Sequence, residues 1–165
     1  MYEKSIELLN KAVADELSAV HQYMYFHFHC DDQGFELLAG LFIRTAIEEM
    51  EHVELLAERI IFLGGDVEMA ASTEVKKIQD VAEMLNLGIK MEQGSIRDYN
   101  LWANECSANA DSGSKKIFEQ LVDDEERHWD QYDNEKNNLK RFGDRYLALQ
   151  SIEMSKNIAA GAPQE

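Results

Sequence analysis

The feature that most constrains this chain is a glutamate followed three residues later by a histidine, because the arrangement occurs twice. The first pair is Glu49 and His52, and the second is Glu125 and His128. Each pair lies in a stretch where apolar residues recur every three or four positions, which is typical of an amphipathic α-helix. On a helix, residues three apart point about 60° apart and lie roughly 4.5 Å apart along the axis. Each pair can therefore bind a single cation.

The same apolar period extends over almost the whole chain and is interrupted by short polar or glycine-containing segments. We predict four long helices and a short fifth one, near residues 4–30, 35–62, 78–109, 113–140 and 145–157. The stretch "GDVEMAASTEVKK" between the second and third helices is too long for a tight turn, so it suits a crossover along the side of a bundle. The prediction is an all-α four-helix bundle in one domain, residues 1–158, followed by a flexible tail, residues 159–165.

A weak internal repeat relates the two halves of the chain. A shift of 76 positions superposes Glu16 on Glu92, Tyr23 on Tyr99, Glu49 on Glu125, and His52 on His128. Most other positions differ, so the repeat indicates a pseudo-two-fold arrangement and not a recent duplication.

Two further glutamates lie on the other long helices and are flanked by apolar residues, Glu16 in "VADELSAV" and Glu92 in "IKMEQGS". Four buried ionised carboxylates are very costly unless cations accompany them. Two divalent cations balance four carboxylates, and two neutral imidazoles complete the coordination. One glutamate from each of two helices, with Glu-x-x-His from each of the other two, is the ligand pattern of ferritin-like di-iron and di-manganese proteins. Mixed carboxylate and imidazole ligands also suit iron or manganese.

Two tyrosines follow these glutamates by seven residues and so share their inward face, Tyr23 after Glu16 and Tyr99 after Glu92. We expect the Tyr23 hydroxyl to hydrogen-bond a carboxylate across the bundle and so support the metal ligands. For Tyr99, the sequence leaves this role and simple packing in the core equally open.

The net charge of −16 argues against nucleic acid and against an anionic membrane surface as partners, and it favours cations. No apolar stretch approaches the roughly 18 residues of a membrane-spanning helix. The N-terminal segment has acidic residues where a signal peptide is apolar, so we expect a cytoplasmic protein. The two cysteines, Cys30 and Cys106, are too few for a four-thiolate metal site.

Three segments, "LNKAVADELSAVHQYMYFHFH", "AIEEMEHVELLAERIIFLGG" and "LVDDEERHWDQYDNEKNNLKRFG", resemble bacterioferritin over almost the entire chain. The resemblance implies two iron ions per subunit. It assigns one ion to Glu16, Glu49 and His52 and the other to Glu92, Glu125 and His128, with Glu49 and Glu125 as bridges. It also implies a hollow homo-oligomeric shell, a 24-mer built from two-fold dimers.

The haem ligand of that family is a methionine directly after the glutamate of the first Glu-x-x-His pair. Met50, which follows Glu49, occupies this position. The resemblance therefore implies a haem or related iron porphyrin shared between two subunits. The spacing itself places Ile43, Ile47 and Met50 on an apolar stripe that faces away from Glu49, which predicts an interface there. The chain departs from the family at Arg44, where some bacterioferritins carry a histidine that handles iron on the inner cavity wall. This departure leaves open the route by which iron reaches the mineral.

The sequence therefore predicts iron storage by a ferroxidase, in which two Fe(II) ions are oxidised by oxygen or hydrogen peroxide and the product is deposited inside the shell. A ferredoxin-type reductant is the partner expected for iron release. The alternative is a rubrerythrin-like di-iron peroxidase that uses a separate electron donor. That donor would have to come from another protein, because the two cysteines are far apart in the chain. A third interpretation is a non-enzymatic bundle whose metal only stabilises the core.

Overall fold

The computed structural model of the chain describes residues 2–161, and within them it contains five α-helices and no strand. The helices are α1 Glu3–Asp32, α2 Glu36–Phe62, α3 Val81–Ala108, α4 Ser112–Phe142 and α5 Asp144–Ala159. Every end agrees with the predicted bounds to within three residues, so the all-α bundle is confirmed. The last residue of α5 is the first residue of the expected tail, and residues 162–165 of that tail lie outside the described residues.

The four long helices form two antiparallel pairs. Tyr23 of α1 packs against Phe42 of α2 with ring centroids 6.1 Å apart, and Tyr99 of α3 packs against Phe118 of α4 at 5.8 Å. The turn between α1 and α2 is short because Gly34 adopts a φ of +82°, a left-handed conformation that glycine tolerates without steric cost. The two pairs pack against each other, and the inward side chains of all four helices form the interior of the bundle.

The segment between α2 and α3, residues 63–80, crosses the side of the bundle along α1, as the sequence predicts. The Asn10 side chain donates to the carbonyl oxygen of Asp66 at 3.0 Å. Farther along α1, Gln22 donates to the carbonyl oxygen of Lys76 at 3.0 Å and accepts from the Lys76 backbone N–H at 2.8 Å. The crossover is therefore fixed to α1 by hydrogen bonds to backbone groups that have no helical partner.

The fourth helix is anchored at its N-terminus by a buried carboxylate. Asp111 caps α4 by accepting from the Ser114 N–H at 3.1 Å. Arg59 of α2 donates to the same carboxylate at 2.5 Å and to the Ser114 hydroxyl at 3.0 Å. This network joins the end of α2 to the start of α4.

The apolar interior consists of two clusters at different heights in the bundle. The first, the aromatic cluster, includes Tyr23, Phe26, Phe42 and Tyr132. The second, the aliphatic cluster, includes Leu8, Leu9, Val53, Leu56 and Phe118. The glutamates and histidines singled out in the sequence lie between the two clusters in each helix. No helix in residues 2–161 has an apolar stretch long enough to cross a lipid bilayer.

Candidate metal centre

All six predicted metal ligands lie at mid-height of the bundle, and none is more than 5% exposed. They are Glu16 on α1, Glu49 and His52 on α2, Glu92 on α3, and Glu125 and His128 on α4. Helical spacing places each of them on the inward face of its helix, and the antiparallel pairing brings the four faces together.

These residues form two overlapping groups, in each of which one ligand atom per residue lies within 4.8 Å of all the others. The first group is Glu16, Glu49, His52 and Glu125, and the second is Glu49, Glu92, Glu125 and His128. Glu49 and Glu125 belong to both groups. The arrangement therefore has the pseudo-two-fold form that the internal repeat predicts.

Both imidazoles face the carboxylates through Nδ1. His52 Nδ1 lies 2.9 Å from Glu49, 3.3 Å from Glu125 and 3.5 Å from Glu16. His128 Nδ1 lies 3.3 Å from Glu49 and 3.5 Å from Glu125. The two rings are stacked with their centroids 6.0 Å apart. A cation placed among these oxygens would meet one nitrogen and several carboxylate oxygens in each group.

Several of these atoms are buried and, although they lie close to one another, form no well-aligned hydrogen bond. They are both carboxylate oxygens of Glu49, Oε1 of Glu125, and Nδ1 of His52 and His128. Buried polar atoms in folded proteins almost always have a partner, because leaving one unpaired costs about 1–3 kcal/mol and more for a charged group. The orphaned atoms and the donor types together fit a pair of divalent cations.

The electrostatics of the cluster lead to the same conclusion. Burial raises the pKa of Glu92 to about 8, and the charge of Glu125 adds to that shift. The pKa of Glu16 also lies well above its ordinary value, first because of burial and then because of neighbouring carboxylates. Burial lowers the pKa of His52 and His128, but the carboxylates that face them raise it by more. The raised pKa values mean that the cluster keeps protons when no metal is bound. The positive charge of these protons offsets the carboxylates, as metal ions would.

Two tyrosines hold the outer glutamates of the cluster. The Tyr23 hydroxyl donates to Oε1 of Glu92, and the Tyr99 hydroxyl donates to Oε1 of Glu16 at 2.6 Å. The two contacts are related by the internal repeat. For Tyr99, which the sequence left open, the structure selects a contact with a site carboxylate over simple packing.

Two acidic residues near the site were not singled out in the sequence. His128 Nε2 lies 2.7 Å from Glu48, and His52 Nε2 lies 3.3 Å from Asp124. A carboxylate that accepts from Nε2–H fixes the ring and leaves the Nδ1 lone pair free to bind a metal. The signal was present in the sequence, because an acidic residue directly precedes the site glutamate in both halves.

Met50 lies at the surface of the subunit, next to a buried ligand. Its side chain is 56% exposed, whereas the adjacent Glu49 is 1% exposed, and Ile47 on the same stripe is 45% exposed. Ile43 is half-buried. The predicted apolar stripe of α2 is thus accessible to a partner molecule in the isolated subunit.

Comparisons with known proteins agree with one another and point to ferritin-like proteins. The family model of the ferritin-like domain matches residues 6–142. The chain is 37% identical to a bacterioferritin of Desulfovibrio desulfuricans over 88% of this chain and 81% of that protein. It is 33% identical to a bacterioferritin of Brucella melitensis over 86% of this chain and 88% of the relative.

Solved structures agree with these relatives. The X-ray structure of the D. desulfuricans bacterioferritin superposes with a TM-score of 0.88 at 36% identity, covering 90% of this chain and 86% of the other. The bacterioferritin BfrA of Mycobacterium tuberculosis superposes with a TM-score of 0.85 at 25% identity, covering 90% and 94%.

Proposed function

The chain belongs to the bacterioferritins of the ferritin-like family, and from this premise we propose that it stores iron by oxidising Fe(II) between helices α1 to α4. The observation that carries the proposal is the overlap of the two ligand groups, which share Glu49 and Glu125. Two carboxylates common to both groups can bridge two cations. The D. desulfuricans structure is described as showing a di-iron site in different catalytic states, which supports the same assignment here.

We assign one ligand set to each Fe(II) ion. Glu16 and His52 bind the first, Glu92 and His128 bind the second, and Glu49 and Glu125 bind both. Two bound Fe(II) ions supply one electron each to oxygen or hydrogen peroxide.

The protein's own groups prepare the site for this oxidation. Four carboxylates and two neutral imidazoles balance two divalent cations, so Fe(II) binding displaces the protons that the metal-free cluster holds. Anionic oxygen ligands stabilise the higher charge of Fe(III), which favours loss of the electron. Tyr23 and Tyr99 keep the outer carboxylates in place while the charge changes.

Single substitutions test the ligand assignment. Glu49→Ala and His128→Ala should abolish fast Fe(II) oxidation, followed by stopped-flow absorbance after Fe(II) is added to the aerobic protein. Glu51→Ala is the matched control for the first, because Glu51 is an exposed glutamate two residues along the same helix. Oxidation at the parent rate in either ligand variant would contradict the assignment.

We infer the assembly from the relatives. The bacterioferritin relatives support an oligomer, and we propose a hollow 24-mer of two-fold dimers in the cytoplasm, with a ferredoxin-type reductant for iron release. The relatives do not favour a rubrerythrin-like peroxidase, and Cys30 and Cys106 are both free and buried in different apolar clusters. Light scattering of the purified protein distinguishes a large shell from a small peroxidase.

We also propose that Met50 is an axial ligand of a haem or related iron porphyrin shared between two subunits. A two-fold contact through the stripe of α2 is self-complementary and brings two Met50 side chains face to face. Their thioethers are exposed, soft ligands in apolar surroundings, which suit haem iron.

Spectra of protein produced with ample haem test this role. The parent should show a Soret band, and Met50→Leu should lose it while the dimer persists, because the change nearly conserves volume. Met69→Leu is the control, since Met69 is 64% exposed in the crossover. A parent without the band, or a Met50→Leu variant with an unchanged band, would refute Met50 ligation.

A further inference from the structure

Arg127 of α4 lies outside both ligand groups, yet it contacts the two carboxylates that hold the imidazoles. Its Nη2 donates to Glu48 at 2.6 Å and to Asp124 at 2.9 Å. The three side chains are only partly exposed, at 43% for Arg127, 33% for Glu48 and 30% for Asp124. One nitrogen therefore joins a carboxylate of α2 to a carboxylate of α4.

The contacts between these carboxylates and the histidines run crosswise between the helices. Glu48 on α2 contacts Nε2 of His128 on α4, and Asp124 on α4 contacts Nε2 of His52 on α2. Arg127 completes a continuous chain of polar contacts that begins at one imidazole and ends at the other. A displacement of Arg127 would release both orienting carboxylates together.

The internal repeat is broken at this residue alone within the chain of contacts. A shift of 76 positions superposes Glu48 on Asp124 and His52 on His128, but it superposes Glu51 on Arg127. Glu51 is exposed, so one guanidinium serves two carboxylates that are otherwise equivalent. A fixed positive charge beside a site that binds cations opposes their binding, which implies that Arg127 contributes something other than its charge.

We propose that Arg127 is a positioning residue that couples the two metal sites, by holding Glu48 and Asp124 so that both histidines keep Nδ1 directed at the shared carboxylates. The inference rests on the proposed function, since it concerns the same two sites. Because the orienting groups are joined through one nitrogen, the order of one imidazole depends on the order of the other.

Anaerobic titration of the assembled, chelator-treated protein with Co(II) tests the proposal, because the visible ligand-field spectrum of Co(II) reports both the amount bound and its coordination. Arg127→Ala should weaken both bound equivalents by about twofold to fivefold, which is the scale of partly exposed ion pairs. The substitution should also broaden the ligand-field spectrum of both bound Co(II) ions. If Arg127 acted only through its positive charge, its removal would instead tighten Co(II) binding. Lys136→Ala is the matched control, because it removes the same charge from an exposed position of α4.

Single-site backgrounds separate the two halves of the proposal. His128→Ala leaves only the site of His52, and His52→Ala leaves only the site of His128. Arg127→Ala should weaken the remaining Co(II) in both backgrounds. Glu48→Ala should weaken it by about tenfold or more where His128 remains, and much less where only His52 remains.

Three outcomes would overturn the inference. Unchanged or tighter Co(II) binding in Arg127→Ala would show that Arg127 does not position the ligands. Weakening in one background only would show that it serves a single histidine and does not couple the sites. A parent that binds no Co(II) sensitive to His128→Ala would overturn the proposed metal centre and this inference with it, so that the two failures are distinguishable.

Discussion

Replacement of Glu92 by glutamine removes an ionisable group from the centre of the bundle but keeps an oxygen that can accept from Tyr23. We expect the Glu92→Gln variant to bind metal less well and yet, when metal-free, to be more stable than the parent. The reason is that burial, reinforced by the charge of Glu125, raises the pKa of Glu92 to about 8 in the folded protein.

The size of the effect follows from proton linkage. In the unfolded chain the carboxyl ionises near its ordinary pKa of 4.5, so at pH 7 it has lost its proton, whereas the folded metal-free protein keeps it. Folding must then take up a proton, which costs free energy above pH 4.5, and the cost grows until pH 8. Each pH unit is worth about 1.36 kcal/mol. The penalty is therefore about 3 kcal/mol at pH 7 and under about 1 kcal/mol at pH 5.

Urea unfolding of chelator-treated parent and variant at equal protein concentration measures this difference. The variant should have the higher midpoint at pH 7, and the gap should nearly close at pH 5. Saturating Co(II) should reverse the order at pH 7, because a ligand stabilises the folded state that binds it. Glu126→Gln, at an exposed position of α4, should change neither midpoint appreciably. A metal-free Glu92→Gln protein that is less stable than the parent, or a gap independent of pH, would refute the linkage argument.

Two further predictions concern the scaffold. Burial opposes ionisation of Asp111, but hydrogen bonds from Ser114 and Arg59 lower its pKa to about 2. Asp111→Asn should therefore lower the free energy of unfolding by about 2 kcal/mol at pH 7, and this difference should disappear as the pH falls from about 4 through 2, as urea unfolding across that range would measure. Gly88→Ala should lower the melting temperature, because its methyl would lie 3.0 Å from the Tyr132 ring and the overpacking cost of about 1–3 kcal/mol exceeds the gain of about 1 kcal/mol in helix propensity. Gly94→Ala should raise it, since nothing apart from its chain neighbours and the backbone of its own helix lies within 4 Å of the added methyl. Equal shifts in a thermal scan would contradict the packing argument.

The helices were predictable because their apolar period is nearly continuous and their ends carry recognisable signals. The largest error, at the start of α3, has a local cause. Ile78 packs against the aromatic cluster and so continues the apolar pattern, but the helix begins only at Val81, where Asp80 caps it by accepting from the Glu83 N–H. An apolar residue can be half-buried in an extended segment, and periodicity alone does not distinguish that case from a helical turn.

The site was predictable to the extent that helical geometry defines it. Spacing along one helix shows which side chains share a face, and this was sufficient to bring Glu49 and His52 together. It does not show which residue of a neighbouring helix lies opposite, so the contact of Tyr99 with Glu16 was left open. Arg127 was not singled out for the same reason, because its role depends entirely on contacts that cross between α2 and α4.

The charged layer at mid-height also separates the two apolar clusters of the bundle, and we expect each cluster to unfold as its own cooperative unit. The aliphatic cluster around Leu8 and the aromatic cluster around Phe26 share the same four helices, but the layer between them is held together only as well as its cations allow. In amide hydrogen exchange we expect the two ends of the metal-free bundle to open at separate rates, and we expect those rates to converge when metal binds. Bound iron would then act as a reversible cross-link among the four helices, so that the metal-loaded protein resists local opening more than the metal-free one.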